Sequence, residues 1–598
     1  MPVYAAPLSD IRFIINEIVE FDALKEQLSF GEVTPDLVDA ILEEAARLAA
    51  EVLAPLNPVG DHRGAVFEDG RVTMPDGFID AYRQFVEGGW NGLPFPEDVG
   101  GQGLPYLLST AVSEIWSAAN MAFALCPMLT QSAVEALALY GSEELKAIYL
   151  PKLVSGEWTG TMNLTEPQAG SDLSRVRTRA VREGDHYRIA GQKIFITYGE
   201  HDLAPNIIHM VLARIPDAPE GVKGLSLFLV PKILVDDDGG LGEANDVRCV
   251  SIEHKLGIKA SPTALLAYGD HDGAIGYLVG QENRGLELMF TMMNQARLGV
   301  GLEGVGIADR AYQRARSYAQ ARTQGRELGG AGGEPVPISH HPDVQRMLLT
   351  MKSQTEATRA LAYFAAAQVD VSRHHPDEAE RHQALRLVDL LTPVVKAWST
   401  DIGIEVASIG IQVHGGMGYI EESGAPQHLR DARIATIYEG TNGIQAMDLV
   451  SRKVMRDGGE TVGRLLDSMR AFERTLGGIN DPDIAAIAPH LGQGISDLAE
   501  STAFIVETFG EDPRKVSAGA VHYLALLGTV AGGWLMTKAA VKAAQFLGGG
   551  DGDPDFLRSK LITARFFADS FLVRTEALKA EFIGGNRALA DLDPDRHL

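Results

Sequence analysis

The sequence predicts an α+β multidomain protein in which a helical domain, a central antiparallel β-domain and a second helical domain follow one another, with an additional helical domain at the C-terminal end. Three observations predict it: helical apolar spacing before residue 160, short β-branched runs from about 160 to 275, and helical periodicity from about 284 onward. With 598 residues, 45% hydrophobic and 22% charged, the chain has side-chain area for more than one core.

Residues 1–35 form an N-terminal extension. It carries Asp10 ahead of its first arginine and has no basic start, long apolar stretch or cleavage signal, so no secretory or transit peptide is expected. Residues 36–160 make the first helical domain. Apolar positions recur at helical spacing over 35–61, where Pro55 and Pro58 are expected to stop the helix; a loop-rich region with Pro75, Trp90 and Pro94 follows, then a largely helical stretch over 104–151.

The β-domain spans 161–278. Its runs over 186–197, 206–215 and 226–235 are bounded by Gly, Asp and Pro, and no helix long enough for repeated βαβ crossovers separates them. The second helical domain, 279–455, starts with a helix over 284–324. A Gly/Pro-rich loop over 325–342 interrupts it, and helices resume over 343–373, 383–414 and roughly 440–455. Gly458, Gly459, Gly463, Gly477 and Gly478 mark a junction to the C-terminal helical domain, 456–598.

Composition excludes several classes of function. A formal charge of −27 repels nucleic acid, and no basic block offsets it. Two cysteines, Cys126 and Cys249, are too few for a disulfide framework or a thiolate metal cluster, and no metal site is expected. The uncharged run 521–537 is short for a bilayer crossing and holds three glycines and a histidine, which favours a buried helix over a membrane span. Gly299, Gly301 and Gly304 satisfy GxGxxG, yet a helical stretch precedes them where a dinucleotide turn needs a strand, so close helix packing is the better reading. The run Met289, Met292 and Met293 reads as helix core.

Three segments mix polar groups with unusual backbone residues. In 162–176, Glu166 before Pro167, followed by Gly170, Ser171 and Asp172, makes a turn that suits either ligand contact or an ordinary surface loop. In 191–202, Phe195 and Thr197 share a strand face at period two, so an aromatic wall and a hydroxyl could address one planar ligand; core packing explains Phe195 equally well. The third, 411–450, crosses the turn His414-Gly415-Gly416-Met417-Gly418, whose glycines allow a bulky or phosphate-bearing group close to backbone amides, and returns to a helix after Gly440. Glu439 sits immediately before that return.

Ile437-Tyr438-Glu439-Gly440-Thr441 resembles the IYEGT signature of acyl-CoA dehydrogenases. Thr165-Glu166-Pro167-Gln168-Ala169-Gly170-Ser171-Asp172 resembles their TEPGAGSD signature, and Ile194-Phe195-Ile196-Thr197 their flavin-contacting strand, with Phe in place of Trp. All three stand in the family's order and separation, and the likeness covers roughly residues 36–450.

The resemblance implies FAD between the helical and β-domains and α,β-dehydrogenation of an acyl-CoA thioester to a trans-2-enoyl-CoA. It implies that Glu439 removes the pro-R α-proton as the β-hydride passes to the flavin, and that the Glu439 N–H and a ribityl hydroxyl of FAD hold the thioester carbonyl. A free glutamate titrates near ~4.3 and would be a weak base for this step, so the site must raise it by burial. The resemblance also implies cofactor contacts from Thr165, Ser171, Phe195, Thr197 and Thr441. Gln412, Gly415 and Gly416 resemble the turn that cradles FAD from a neighbouring subunit, and Arg322 matches an arginine on the FAD phosphates, although Thr323, Gln324 and Gly325 depart from the residues that usually follow it. Substrate contacts are implied for Ser171, Asn294, Arg297, Tyr438 and Gly440, with Asn294 standing where the family often has Asp. Ala296 leaves empty the position where some relatives carry the base. Residues 126–137, with small Ala133 and Ser132, match a helix that lines the acyl cavity, or simply pack.

The N-terminal extension and the extra C-terminal domain are similar to those of a long bacterial branch. Its substrates include 3-methylmercaptopropionyl-CoA and short, medium or long fatty acyl-CoAs, as in β-oxidation. The expected partners are an electron-transfer flavoprotein and a second copy in a cytoplasmic homodimer, because the fused domain can cover surface that another pair of subunits covers in shorter tetrameric relatives. Two other readings share the fold: an oxidase that passes electrons to oxygen, and a flavin-containing nucleic-acid-binding relative, against which the acidic charge argues.

Overall fold

The computed structural model describes residues 4–236, 238–329, 334–584, 587–590 and 592–598; positions 1–3 of the N-terminal extension and 330–333 of the Gly/Pro-rich loop lie outside the described residues. The chain forms two compact units, Glu44–Gly299 and Met1–Glu43 with Val300–Leu598. The α+β class holds.

In Glu44–Gly299 the expected helix stop at Pro55 and Pro58 is overturned. A π-helical turn, Ala49–Leu53, follows the first helix, and a new helix, Ala54–Arg63, takes Pro55 into its first turn and runs past Pro58 to Gly64. A proline in a first turn removes an N–H that has no intrahelical partner, so it is tolerated there. Helix α1 (Tyr106–Tyr140) is kinked at Asn120, whose amide caps the break by donating to Leu53 O and accepting from Phe123 N.

The β-domain is an eight-stranded sheet: β1 (Thr159–Asn163), β2 (Arg179–Glu183), β3 (His186–Thr197), β4 (Ile207–Arg214), β5 (Leu225–Pro231), β6 (Val247–Ile252), β7 (Thr263–Tyr268) and β8 (Ala274–Val279). The order is β6-β7-β3-β8-β5-β4-β1, with β2 paired to β3 and β4. The pairs are antiparallel except for β1 with β4 and the single β2–β4 bridge, which are parallel. β1 joins through the α1 side of the unit: a side chain on Gly160 would meet Ala133 Cβ at 2.5 Å, so two small residues let α1 lie on the strand. Ala133 is thereby explained by packing. Helix α2 (Gly285–Ala321) begins against this core, with Met289 and Met292 fully buried and Met293 packed at its edge.

In the other unit, α3 (Pro342–His374) and α4 (Glu378–Val413) pair, and α5 (Asn442–Asp448) follows the 433–441 turn. Gly301 and Gly304 of α2 meet the α4 backbone, where a Cβ would lie 2.8 Å from Val395 O and 2.4 Å from Ser399 O. The GxGxxG run is thus a helix-packing notch. The C-terminal domain lays α6 (Ala520–Gly549) over α3 and α4: Gly528 and Gly532 face Trp398, and a Cβ on either would lie 2.5 Å from its ring. α7 (Pro554–Ser570) packs beside α6 and α3. Helices α1 and α6 are long and apolar enough to span a bilayer, yet 78% and 89% of their most apolar windows are buried within the protein.

Candidate active site

In Glu44–Gly299, the turn after β1 is built around Glu166. Its carboxylate accepts from the Thr178 hydroxyl at 2.6 Å, the Arg177 and Thr178 amides at 2.7 and 3.0 Å, and Lys193 Nζ at 2.9 Å. Lys193 also donates to Leu164 O, and Ile194 N donates to Thr165 O, so β3 is stitched to both sides of Thr165. Burial alone would raise the Glu166 carboxyl, but the Lys193 ammonium and these donors hold it down to about 2. Glu166 is therefore an internal fastener, while its neighbour Thr165 is half-buried and Ser171 is exposed.

The strict period-two argument for β3 needs correction. Phe195 has φ 60°, and the β3–β7 register shifts beside it, so a bulge separates Lys193 from Ile196 and both face the core although three residues apart. Beyond the bulge the alternation resumes: Ile196 is 2% exposed, Phe195 is 58% exposed, and Thr197 is half-buried. Core packing no longer explains Phe195. A large aromatic ring held outward on a left-handed residue fits a flat ligand.

Farther along the same unit, Arg297 is buried and donates to Asn294 Oδ1 at 3.2 Å one turn back, while its guanidinium lies 5.8 Å from the Phe290 ring. The two expected substrate residues therefore form one polar face of α2.

In the other unit, Glu439 and Gly440 are consecutive left-handed residues, φ 56° and 82°. A non-glycine residue in this region costs on the order of 1–3 kcal/mol and persists only where its surroundings fix it. Gln445 donates to Glu439 O at 3.0 Å, and Lys396 donates to Gly440 O at 2.8 Å and to Asn442 Oδ1 at 2.9 Å. Asn442 in turn donates to Ala397 O, Thr400 Oγ1 and Asp401 Oδ1. Thr441 Oγ1 accepts from Ile444 N to start α5, which leaves its own proton to donate. The Glu439 side chain is half-buried. The Tyr438 hydroxyl donates to Glu303 of α2, a partner that sequence reasoning missed, as it missed Lys396; Glu303 sits inside the GxGxxG run that reads only as helix packing, and Lys396 lies in an apolar helical stretch.

The glycine turn in this unit is braced from behind. His414 stacks on Tyr318 with ring centroids 4.4 Å apart and contacts Gly410 O at 2.7 Å; Arg314 donates to Ser423 O and to His428. Gly418 is pinned, since a Cβ there would lie 2.1 Å from Ile411 O. Gly415 and Gly416 are exposed, with nothing within 4 Å of an ideal Cβ, and Gln412 is exposed beside them. Arg322 is also exposed, its nearest side-chain partner being Gln324 at 3.4 Å. An unobstructed glycine pair and an outward aromatic wall both suit a flavin dinucleotide.

Family models match along most of the chain: the acyl-CoA dehydrogenase N-terminal domain at 36–157, the middle domain at 161–270, the C-terminal domain at 283–454, and the acetyl-CoA dehydrogenase C-terminal-like domain at 465–593. The chain is 49% identical to 3-methylmercaptopropionyl-CoA dehydrogenase of Ruegeria pomeroyi over 96% of this chain and 97% of that one. A chain in the structure of the electron transferring flavoprotein of Acidaminococcus fermentans matches with TM-score 0.58 at 28% identity, over 71% of this chain and 99% of that chain. The acyl-CoA dehydrogenase complexed with FAD from Bacillus anthracis matches with TM-score 0.74 over 98% of this chain and 92% of that one; at 22% identity this is likeness of fold.

Proposed function

This chain belongs to the acyl-CoA dehydrogenase family, and from that premise we propose that it converts an acyl-CoA thioester to its trans-2-enoyl-CoA with Glu439 as the base. The observation that carries the reading is the Glu439–Gly440 turn, whose two carbonyls are tied down by Gln445 and Lys396. A carboxylate on a turn fixed in this way is aimed by the backbone, and alignment of a base with its proton is a large part of such a step. Glu439 takes the pro-R α-proton, and its backbone N–H steadies the charge that develops on the thioester oxygen. Bound FAD supplies the acceptor for the hydride lost from the β-carbon. Thr165, Phe195 and Thr197 would hold its ring, Ser171 and Thr441 would contribute hydroxyls, and Gln412, Gly415, Gly416 and Arg322 of a neighbouring subunit would hold its dinucleotide end. Asn294, Arg297, Tyr438 and Gly440 line the substrate.

The acyl group we assign is 3-methylmercaptopropionyl, on the strength of the Ruegeria relative. The electron acceptor is an electron-transfer flavoprotein, and the protein works as a cytoplasmic homodimer: α6 already covers the α3–α4 face that a further pair of subunits would otherwise have to cover.

The test is anaerobic stopped-flow reduction of holoenzyme by 3-methylmercaptopropionyl-CoA and by butyryl-, octanoyl- and palmitoyl-CoA. The thioether substrate should reduce the flavin fastest, and Glu439→Gln should slow reduction by about 10²–10⁴-fold at unchanged FAD content. Reduction of the Gln variant at the wild-type rate would remove Glu439 as base. In a separate aerobic assay, faster oxygen uptake than carrier reduction would make the protein an oxidase.

A further inference from the structure

One buried carboxyl beside the base-bearing turn has no part in the reaction just described. Glu303 lies on α2 and is 2% exposed; its Oε2 accepts from the Tyr438 hydroxyl, and its Oε1 is buried without a partner among the described residues. The titratable and charged groups that face it are Tyr438 and Glu439 from the turn and Lys396 from α4. Lys396 is itself engaged by Gly440 O and Asn442 Oδ1. The one cation that faces Glu303 therefore already serves the turn.

We propose that Glu303 is a positioning residue for the base, holding Tyr438 and with it the 438–440 turn, and that it shares a single negative charge with Glu439 at working pH. The proposal rests on the reading of Glu439 as base. Three observations support it. The hydrogen bond from Tyr438 is the link between α2 and the residue preceding Glu439. A buried Oε1 with no partner among the described residues is tolerable for a neutral acid and costly for a carboxylate. Burial pushes the Glu303 carboxyl up to about 8, with Tyr438 and Lys396 opposing and the Glu439 charge adding to the rise. Carboxyls that interact electrostatically ionise in separated steps that belong to the pair. With Glu439 ionised and ready to accept the α-proton, Glu303 keeps its proton. Once alkaline pH ionises Glu303 too, its oxygens repel Glu439, and the turn is held less well.

The test has a spectroscopic and a kinetic arm on the holoenzyme. Infrared difference spectra should show the C=O stretch of a protonated buried carboxyl that titrates away near about 8. That band should vanish in Glu303→Gln and move to higher frequency in Tyr438→Phe, which removes the hydrogen bond. In anaerobic flavin reduction the wild type should lose rate as pH passes through the same value. Glu303→Gln should lose about threefold at neutral pH, because an amide oxygen still accepts from Tyr438, and should lack the alkaline fall; Tyr438→Phe should drop about tenfold. A wild-type spectrum without the band, a band that survives Glu303→Gln, or an alkaline fall unchanged in that variant would overturn the proposal. Should Glu303→Gln not fold, a Tyr438→Phe band at the wild-type frequency would overturn it. Failure of the base reading is separate: there Glu439→Gln would reduce flavin at the wild-type rate whatever the Glu303 band does.

Discussion

Lys193 Nζ lies 2.9 Å from Glu166 Oε1, and both side chains are almost wholly buried. The pair fastens β3 to the turn that carries Thr165, so Phe195 two residues away inherits its outward pose from an ion pair. Removing one partner of such a pair leaves an uncompensated charge in the interior, which costs about 3–5 kcal/mol.

Glu166→Ala should therefore lower the unfolding midpoint sharply and release FAD. Glu166→Ala with Lys193→Met should cost much less than the sum of the single changes, because the double change leaves no orphan charge. Thermal unfolding with flavin fluorescence reads both, and strictly additive losses would rule out a functional pair. The pH direction follows from the depressed carboxyl: its stabilisation is fully present above the ordinary carboxylate range and fades as pH falls through about 2.

Gly416 offers a clean test of where the dinucleotide lies. Apart from its chain neighbours, no described atom stands within 4 Å of a Cβ placed there, and its φ is not in the left-handed region, so Gly416→Leu should leave the thermal midpoint of the flavin-free protein unchanged. If the turn approaches FAD closely, the same change should weaken FAD binding by about tenfold or more, since a ligand cannot approach amides past a branched side chain. Equal FAD affinity in the two proteins, by titration of the flavin-free form, would move the cofactor away from this turn.

Two histidines inside the β-domain should weaken the protein in acid. Burial, aided by the Lys232 charge, lowers His201 and His209 to about 3; each ring is bonded to a β1 threonine, His201 to Thr159 and His209 to Thr161. Between the ordinary histidine range and about 3 the unfolded chain binds more protons, so stability is complete above that range and falls by up to ~1.4 kcal/mol per pH unit for each ring as pH drops. Glu303 acts in the opposite sense: its raised value means stability is complete below the ordinary carboxylate range and declines as pH rises through about 8. His209→Gln should flatten the acid slope, and Glu303→Gln the decline between the ordinary carboxylate range and about 8. Midpoints measured across pH that keep the wild-type slopes would refute the assignment.

Regular elements with uninterrupted periodicity were legible in the sequence, and those shaped by distant partners were not. The helix read over 343–373 is Pro342–His374, because it repeats one pattern without conflict; the strand read over 186–197 is His186–Thr197, but the bulge beside Phe195 left no trace in its composition. Pro58 misled because a π-helical turn upstream reset the helix before it. The parallel β1–β4 pairing depends on Gly160 meeting Ala133, a contact between segments whose local composition says nothing of it. At the site, the motifs exposed Glu439 and the glycines. Their supports, Lys193, Lys396 and Glu303, are single polar residues within apolar runs, and only folding shows what each one holds.

The N-terminal extension makes the last prediction, since it is wired into the C-terminal domain. Asp10 bonds Lys560 of α7, Lys560 lies 3.3 Å from Glu356 of α3, and Thr563 donates to Glu356 at 2.8 Å. Phe13 meets Phe556 edge-on, Lys538 donates to Ile18 O, and Lys542 pairs with Glu20. Burial would raise the Asp10 carboxyl, but the Lys560, Lys352 and Arg359 charges hold it far below the usual range. Asp10→Asn leaves Lys560 only Glu356, which already serves Lys352. The expected loss is about 3 kcal/mol, the low end for a broken buried pair. Lys560→Met should offset part of it in the double variant. Hydrogen exchange should then speed up in Pro554–Ser570 and in the extension together while the sheet strands stay protected, because the extension and α7 share one buried cluster. Faster exchange in the extension alone would mean that it is a loose strap and that the C-terminal domain is held by α6.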